Sequence, residues 1–137
     1  MNWEPIAPTE SGDLIRTKVS FYYHYGIFVS EAEVIQFGLP TDPGRNAADI
    51  KVLVSDIGTF LNGGEIETAR PTRQERSTMR PKAEIVEIAR SKIGTGGYDI
   101  LHNNCEHFMN ECAFSQAKSS FVDDVRAKIR QKLNATK

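Results

Sequence analysis

Asn103-Asn104-Cys105-Glu106-His107-Phe108 is the stretch on which the fold turns. Adjacent asparagines favour a turn or a helix cap, because the short amide side chain bonds its own backbone. Glu106, Phe108, Met109, Glu111, Cys112 and Ala113 then read as a helix, which sets Cys105 in or just before the first turn. Unpaired N–H groups and the positive end of the helix dipole gather there, and that field favours thiolate over thiol. The same N–H groups could receive an oxyanion. Cys105 reads as a nucleophile; the alternative is a buried, inert thiol, since free cysteine is among the most interior residue types.

Far upstream lies Tyr22-Tyr23-His24-Tyr25-Gly26-Ile27-Phe28-Val29. Its density of aromatic and β-branched residues predicts a strand over Phe21 to Val29. Period two places Tyr22, His24, Gly26 and Phe28 on one face, and Tyr23, Tyr25, Ile27 and Val29 on the other. A lone cysteine and a histidine distant in sequence is the arrangement expected of a thiol catalyst, whose partners meet only in space. His24 is the candidate base, with a satisfied core histidine as the alternative; Gly26 beside it has no side chain to block a close neighbour. Ser30 to Glu33 is a turn and Val34 to Gly38 the returning strand. If Phe28 lies opposite Val34, Gln36 falls opposite Gly26, diagonal to His24 and within about 8 Å of it. The Gln36 amide oxygen would then accept from one imidazole nitrogen and orient the ring, as the third member of a triad does. A surface glutamine on a hairpin is the competing reading.

The remaining chain supplies a frame. Residues 1–11 are polar and proline-containing and are expected to run over the surface. Gly12-Asp13 is a turn and Leu14 to Val19 a short strand. Leu39 to Asp49 is a loop, Ile50 to Val54 a strand, and Ser55 or Asp56 opens a helical turn through Leu61. Asn62-Gly63-Gly64 stops it, and Glu65 to Ala69 is a further strand. Arg70 to Pro81 carries Arg70, Arg73, Arg76 and Arg80 against a single acid. It reads as a solvated loop, with a phosphate- or head-group-facing flap as the functional alternative. Lys82 to Ile93 is a helix burying Val86, Ala89 and Ile93, ended by Gly94, Gly96 and Gly97. Ser120 to Leu133 reads as a last helix, basic in its second half.

At 137 residues the chain is one domain, 1–137, able to bury its own core without metals or disulfides. A net charge of −1 gives no strong pull toward nucleic acid or membrane. The start, Met1-Asn2-Trp3-Glu4-Pro5, has no signal-peptide pattern, and no apolar run approaches the roughly 20 residues of a membrane span. If both cysteines lie on one helix, about 10 Å of rise separates Cys105 from Cys112, beyond the ~7 Å a disulfide spans. That agrees with a reducing, cytoplasmic setting. His102, Cys105, His107 and Cys112 are clustered, but one helix cannot aim them at a tetrahedral point: His107 lies about 200° around from Cys105. No metal and no cofactor is expected.

Ser11-Gly12-Asp13-Leu14-Ile15, His24-Tyr25-Gly26-Ile27-Phe28-Val29, Glu33-Val34-Ile35-Gln36-Phe37 and Asn104-Cys105-Glu106-His107-Phe108 together resemble the lecithin:retinol acyltransferase (LRAT) family. That family is a circularly permuted branch of the NlpC/P60 papain-like superfamily, with histidine before cysteine. The resemblance runs from Gly12 to Val122, with the last helix at about 120–134 completing the domain. One position departs: the family usually has a second histidine where this chain has Gln36. The resemblance implies an α+β fold, with an antiparallel sheet bearing the histidine packed against a helix bearing the cysteine. It also implies acyl-ester chemistry, since relatives act as phospholipase A and as O- or N-acyltransferases on lipids. Cys105 would form a thioester and His24 would serve as base, on an acyl-ester or lipid substrate met by peripheral membrane contact. His107 matches the family block and is kept as a minor helper, expected to pack or bond locally rather than to act as base. Many animal relatives carry a hydrophobic C-terminal tail, whereas this terminus is polar. Two other functions remain open: an NlpC/P60-like cysteine peptidase or amidase, and a non-catalytic interaction module of the same fold.

Overall fold

The structure is a computed structural model and describes residues 1–41, 46–99 and 104–114. The strands are β1 (Asn2–Glu4), β2 (Leu14–Val19), β3 (Tyr22–Ser30), β4 (Glu33–Phe37), β5 (Val52–Ser55) and β6 (Ile66–Arg70). They form one antiparallel six-stranded sheet in the order β1-β6-β2-β3-β4-β5. Among the described residues four α-helices join it: α1 (Ile57–Leu61), α2 (Arg73–Thr78), α3 (Lys82–Ser91) and α4 (Cys105–Ala113). The class is α+β, as expected.

Period-two alternation divides the sheet into two buried faces. Leu14, Ile27, Ile35, Phe37 and Val52 point to one, where α3 and α4 lay down Ile85, Ala89, Phe108, Met109 and Cys112. Ile15, Phe28 and Val34 point to the other and meet Phe60 of α1. The β3–β4 hairpin has the register read from the sequence, with Phe28 opposite Val34 and Gly26 opposite Gln36. Among the described residues, no helix is long and apolar enough to cross a membrane.

Several sequence expectations need correction. Residues 1–11 do not simply run over the surface: β1 pairs with β6, and Trp3 packs 5.7 Å from the Tyr25 ring and 4.6 Å from the Arg16 guanidinium. The expected loop at Arg70–Pro81 contains α2. Its start is a capping box, in which the Thr72 side chain accepts from the Glu75 N–H and the Glu75 carboxylate accepts from the Thr72 N–H. Helix α3 stops at Ser91, so Ile85 joins Val86 and Ala89 in the core while Ile93 stays outside. Phe21 does not begin a strand but is 91% exposed in a turn where Ser20 has φ 57°. The strand expected from Ile50 begins at Val52, because Ile50 closes a short 3-10 turn at Ala47–Asp49. His102, Asn103 and the expected helix at Ser120–Leu133 lie outside the described residues.

Arg80, expected in a solvated loop, fixes the far end of α4. Its backbone N–H donates to Ala113 O at 2.9 Å. Its guanidinium donates to Glu111 O at 2.6 Å, to Cys112 O at 3.2 Å and to Phe114 O. These are the unpaired carbonyls at the negative end of the helix, where a cation is most favourable. Holding this end sets the direction in which the other end, at Cys105, points.

Candidate active site

Helix α4 starts where it does because Asn104 caps it. Asn104 has extended backbone, and its Oδ1 accepts from the His107 N–H at 2.9 Å. His107 Nδ1 accepts in return from the Asn104 N–H at 3.3 Å. The buried His107 is thus occupied in a reciprocal cap, the local role expected of it.

The place of the Cys105 sulfur follows from the ladder around β3. Phe28 exchanges backbone bonds with the β2 side, its N–H donating to Asp13 O and its carbonyl accepting from the Gly12 N–H. Peptide groups alternate sides along a strand, so those of Tyr23 and Tyr25 face β4. But β4 ends at Phe37, and Gly38, with φ 81°, turns the chain to give its N–H to Lys51 O. The Cys105 sulfur occupies the position that β4 vacates. Its thiol donates to Tyr23 O at 3.8 Å, and it receives the Tyr25 N–H. The sulfur therefore rests on the peptide groups that flank His24.

Burial pushes the Cys105 thiol up to about 11, and the Glu106 carboxylate adds to the rise. The N–H groups of Tyr25, Cys105 and Glu106 pull the other way without prevailing. This corrects the expectation of a thiolate. The helix-terminal donors are present, but a sulfur shielded from water keeps its proton at rest. Burial likewise pushes Cys112 up to about 12. Both cysteines are free.

His24 and Gln36 meet on the opposite face of the sheet from α4. His24 Nε2 lies 2.6 Å from Gln36 Oε1, and both residues are buried. Gln36 is fully buried, so the surface-glutamine alternative does not hold. Its Nε2 donates to Ser55 Oγ at 2.5 Å, and Ser55 Oγ donates to Asp56 O at 2.9 Å. The Phe60 ring covers the imidazole at 5.2 Å between centroids. Gly26 permits this cover, since a Cβ there would lie 2.7 Å from Phe60 Cε2. Sequence reading missed Ser55 as a member of this network, having taken it only as a helix opener.

On the α4 side a cleft of about 620 Å³ opens beside the cysteine helix, lined by Trp3, Arg16, Tyr25, Glu106, Met109 and Asn110 among others. Arg16 is held between the Trp3 and Tyr23 rings, 4.6 and 3.8 Å from their centroids, and its Nε donates to Glu67 at 2.8 Å. Burial and the Glu106 carboxylate push the Tyr25 hydroxyl up to about 12, against the pull of the Arg16 guanidinium hydrogen-bonded to it. Among the described residues, no cluster of His, Cys, Asp and Glu has the form of a metal site.

Comparison with known proteins places this chain in a family. The family model described as lecithin retinol acyltransferase matches residues 7–118. Human "Phospholipase A and acyltransferase 3" is 27% identical over 130 residues, covering 88% of this chain and 80% of its own. Human "Phospholipase A and acyltransferase 2" is 25% identical over 120 residues, covering 81% and 74%. Bovine "Lecithin retinol acyltransferase" is 24% identical over 143 residues, covering 87% and 62%. With most of its length matched by the family model, this chain belongs to the lecithin retinol acyltransferase (LRAT) family.

Proposed function

We propose that this protein transfers or hydrolyses acyl groups of lipid esters, with Cys105 as nucleophile, His24 as base and Gln36 orienting His24. The observation that carries this reading is the seat of the sulfur on the peptide groups flanking a buried, hydrogen-bonded His24–Gln36 pair. The relatives' names supply the substrate class. The permuted NlpC/P60 relationship suggested by the motif order fits a histidine strand that precedes the cysteine helix.

Because the resting sulfur is a thiol, attack on the ester carbonyl requires His24 to take the proton as the C–S bond forms. The imidazolium then protonates the departing alkoxide, leaving a thioester on Cys105. Water or a second acceptor amine or alcohol enters next, its proton passing to His24, and the C–S bond breaks to restore the thiol. Phe60 keeps water from one side of the ring, which strengthens its bond to Gln36. Contact with lipid would be peripheral and on the cytoplasmic side, and Phe21, exposed in the turn before β3, offers an apolar group for it.

The test is to trap the thioester. Incubation with a phospholipid and acid quenching should add one acyl mass to the Cys105 peptide, with none on Cys112. Cys105→Ala and His24→Ala should each abolish ester turnover while remaining folded. Full turnover by Cys105→Ala would overturn the proposal.

A further inference from the structure

We propose that Ser55 is a positioning residue of this site: through the Gln36 amide it sets which nitrogen of His24 carries the proton. The far end of this chain of bonds, the Asp56 carbonyl, can only accept. The Asp56 carbonyl has no proton, so the contact at 2.9 Å takes the single hydroxyl proton of Ser55. Ser55 Oγ is left as an acceptor toward Gln36. The Gln36 atom at 2.5 Å from it must then be the amide nitrogen, which turns Oε1 toward His24. An amide oxygen cannot donate, so the contact at 2.6 Å is made by a protonated Nε2. In the neutral ring that leaves the lone pair on Nδ1. With the amide reversed, the Ser55 proton would be claimed by both Gln36 Oε1 and Asp56 O, and one contact would be lost.

The end of the relay is itself fixed. Asp56 caps α1, its Oδ1 accepting from the Thr59 N–H at 2.7 Å, and α1 carries the Phe60 that covers the imidazole. The β5–α1 junction thus sets both the shield over His24 and its tautomer. The consequence for catalysis rests on the acyl-transfer reading above, in which the Nδ1 lone pair takes the Cys105 proton.

Replacing Ser55 with alanine or valine leaves the Gln36 NH₂ without an acceptor in a buried place. An orphaned carbonyl is better tolerated there than an orphaned N–H, so the amide turns its NH₂ to the ring and draws out the Nδ1–H tautomer. The test is ¹⁵N–¹H long-range correlation spectroscopy of His24 in the full chain, beside pH–rate profiles, for wild type, S55A, S55V and S55T. Wild type and S55T should show the Nε2–H tautomer; S55A and S55V should show Nδ1–H in substantial proportion. The kcat/KM of S55A and S55V should fall by about 10-fold to 10⁴-fold, the upper figure being the loss when a triad is forced into the wrong tautomer. S55T, which keeps the hydroxyl on the shape of valine, should recover most of the rate. The acid limb of the profile should move to lower pH in S55A, because the imidazolium loses its acceptor. An Nδ1–H tautomer in wild type, or identical spectra in wild type and both S55A and S55V, overturns the proposal. If wild type transfers no acyl group, the acyl-transfer reading fails while the spectra still decide the role of Ser55.

Discussion

The protonation of Cys105 allows a quantitative test. A thiol shifted from 9.0 to about 11 is ionised to only about one part in 10⁴ at pH 7, against about one in 10² for an unshifted group. At rest, alkylation by iodoacetamide should therefore be roughly a hundredfold slower than that of an exposed thiol, before any steric slowing. Its logarithm should climb with unit slope from pH 6 to pH 9 without a plateau. Mass spectrometry of the Cys105 peptide after timed quenching supplies the rates. His24→Ala should leave this slope unchanged, because the imidazole is not what holds the resting charge. The same shift has a thermodynamic counterpart. A pKa raised in the folded state stabilises the fold below the unfolded pKa, and that stability is lost as pH rises through the folded value. For Cys105 the loss falls between pH 9.0 and about 11 and amounts to roughly 3 kcal/mol. The Cys112 shift, from 9.0 to about 12, adds a loss in the same direction over a wider window. Denaturant melts at pH 8 and pH 10.5 should show the fall. A rate plateau below pH 8, with half-ionisation there, would refute the argument that burial outweighs the helix terminus.

Other outcomes follow from single contacts. Gly26→Ala places a methyl against the buried Phe60 ring and should destabilise by about 1–3 kcal/mol in urea melts, with Phe60→Leu in the same chain recovering part of the loss. No destabilisation would mean the ring is loosely packed. Gln36→His should retain activity near pH 8, since a neutral imidazole can accept from His24 and donate to Ser55, and should lose it below about pH 6.5, where that ring protonates. Wild type should hold its rate to lower pH, and identical profiles would remove Gln36 from the orienting role. Arg80→Ala strips the charged donor from Glu111 O, Cys112 O and Phe114 O and should cost about 1.5–3 kcal/mol. Unchanged amide-exchange protection in the last turn of α4 would contradict that account.

The His24–Gln36 meeting was legible because a short turn joins their strands, and alternation then leaves little choice of register. Ser55 was not legible, although it is equally close to Gln36. The long connection from Gly38 to Lys51 carries no register, and only the observed β4–β5 pairing brings Ser55 alongside. Helix α2 was written in the sequence as Thr72-Arg73-Gln74-Glu75, but the prolines at 71 and 81 were read as marks of a loop rather than as its boundaries. Strand β1 is three residues long and pairs with a strand some 65 positions away, so neither periodicity nor neighbourhood announces it. The Cys105 helix start could be read from the Asn104 cap, but its burial could not, because burial depends on where β4 stops. That is why the expected direction of the pKa shift was wrong.

The vacated ladder position gives the sulfur a mechanical role as well as a chemical one. Cys105 serves as a latch, its S–H closing on the Tyr23 carbonyl and its lone pair receiving the Tyr25 N–H. Any bond formed at the sulfur removes the S–H and opens the first half of that latch. A thioester on Cys105 and a loosened end of β3 would then be two views of one event. The Tyr23 carbonyl would lose its donor while the sulfur still receives the Tyr25 N–H, so the Tyr23 carbonyl stretch, and not the Tyr25 amide, would report the acyl group.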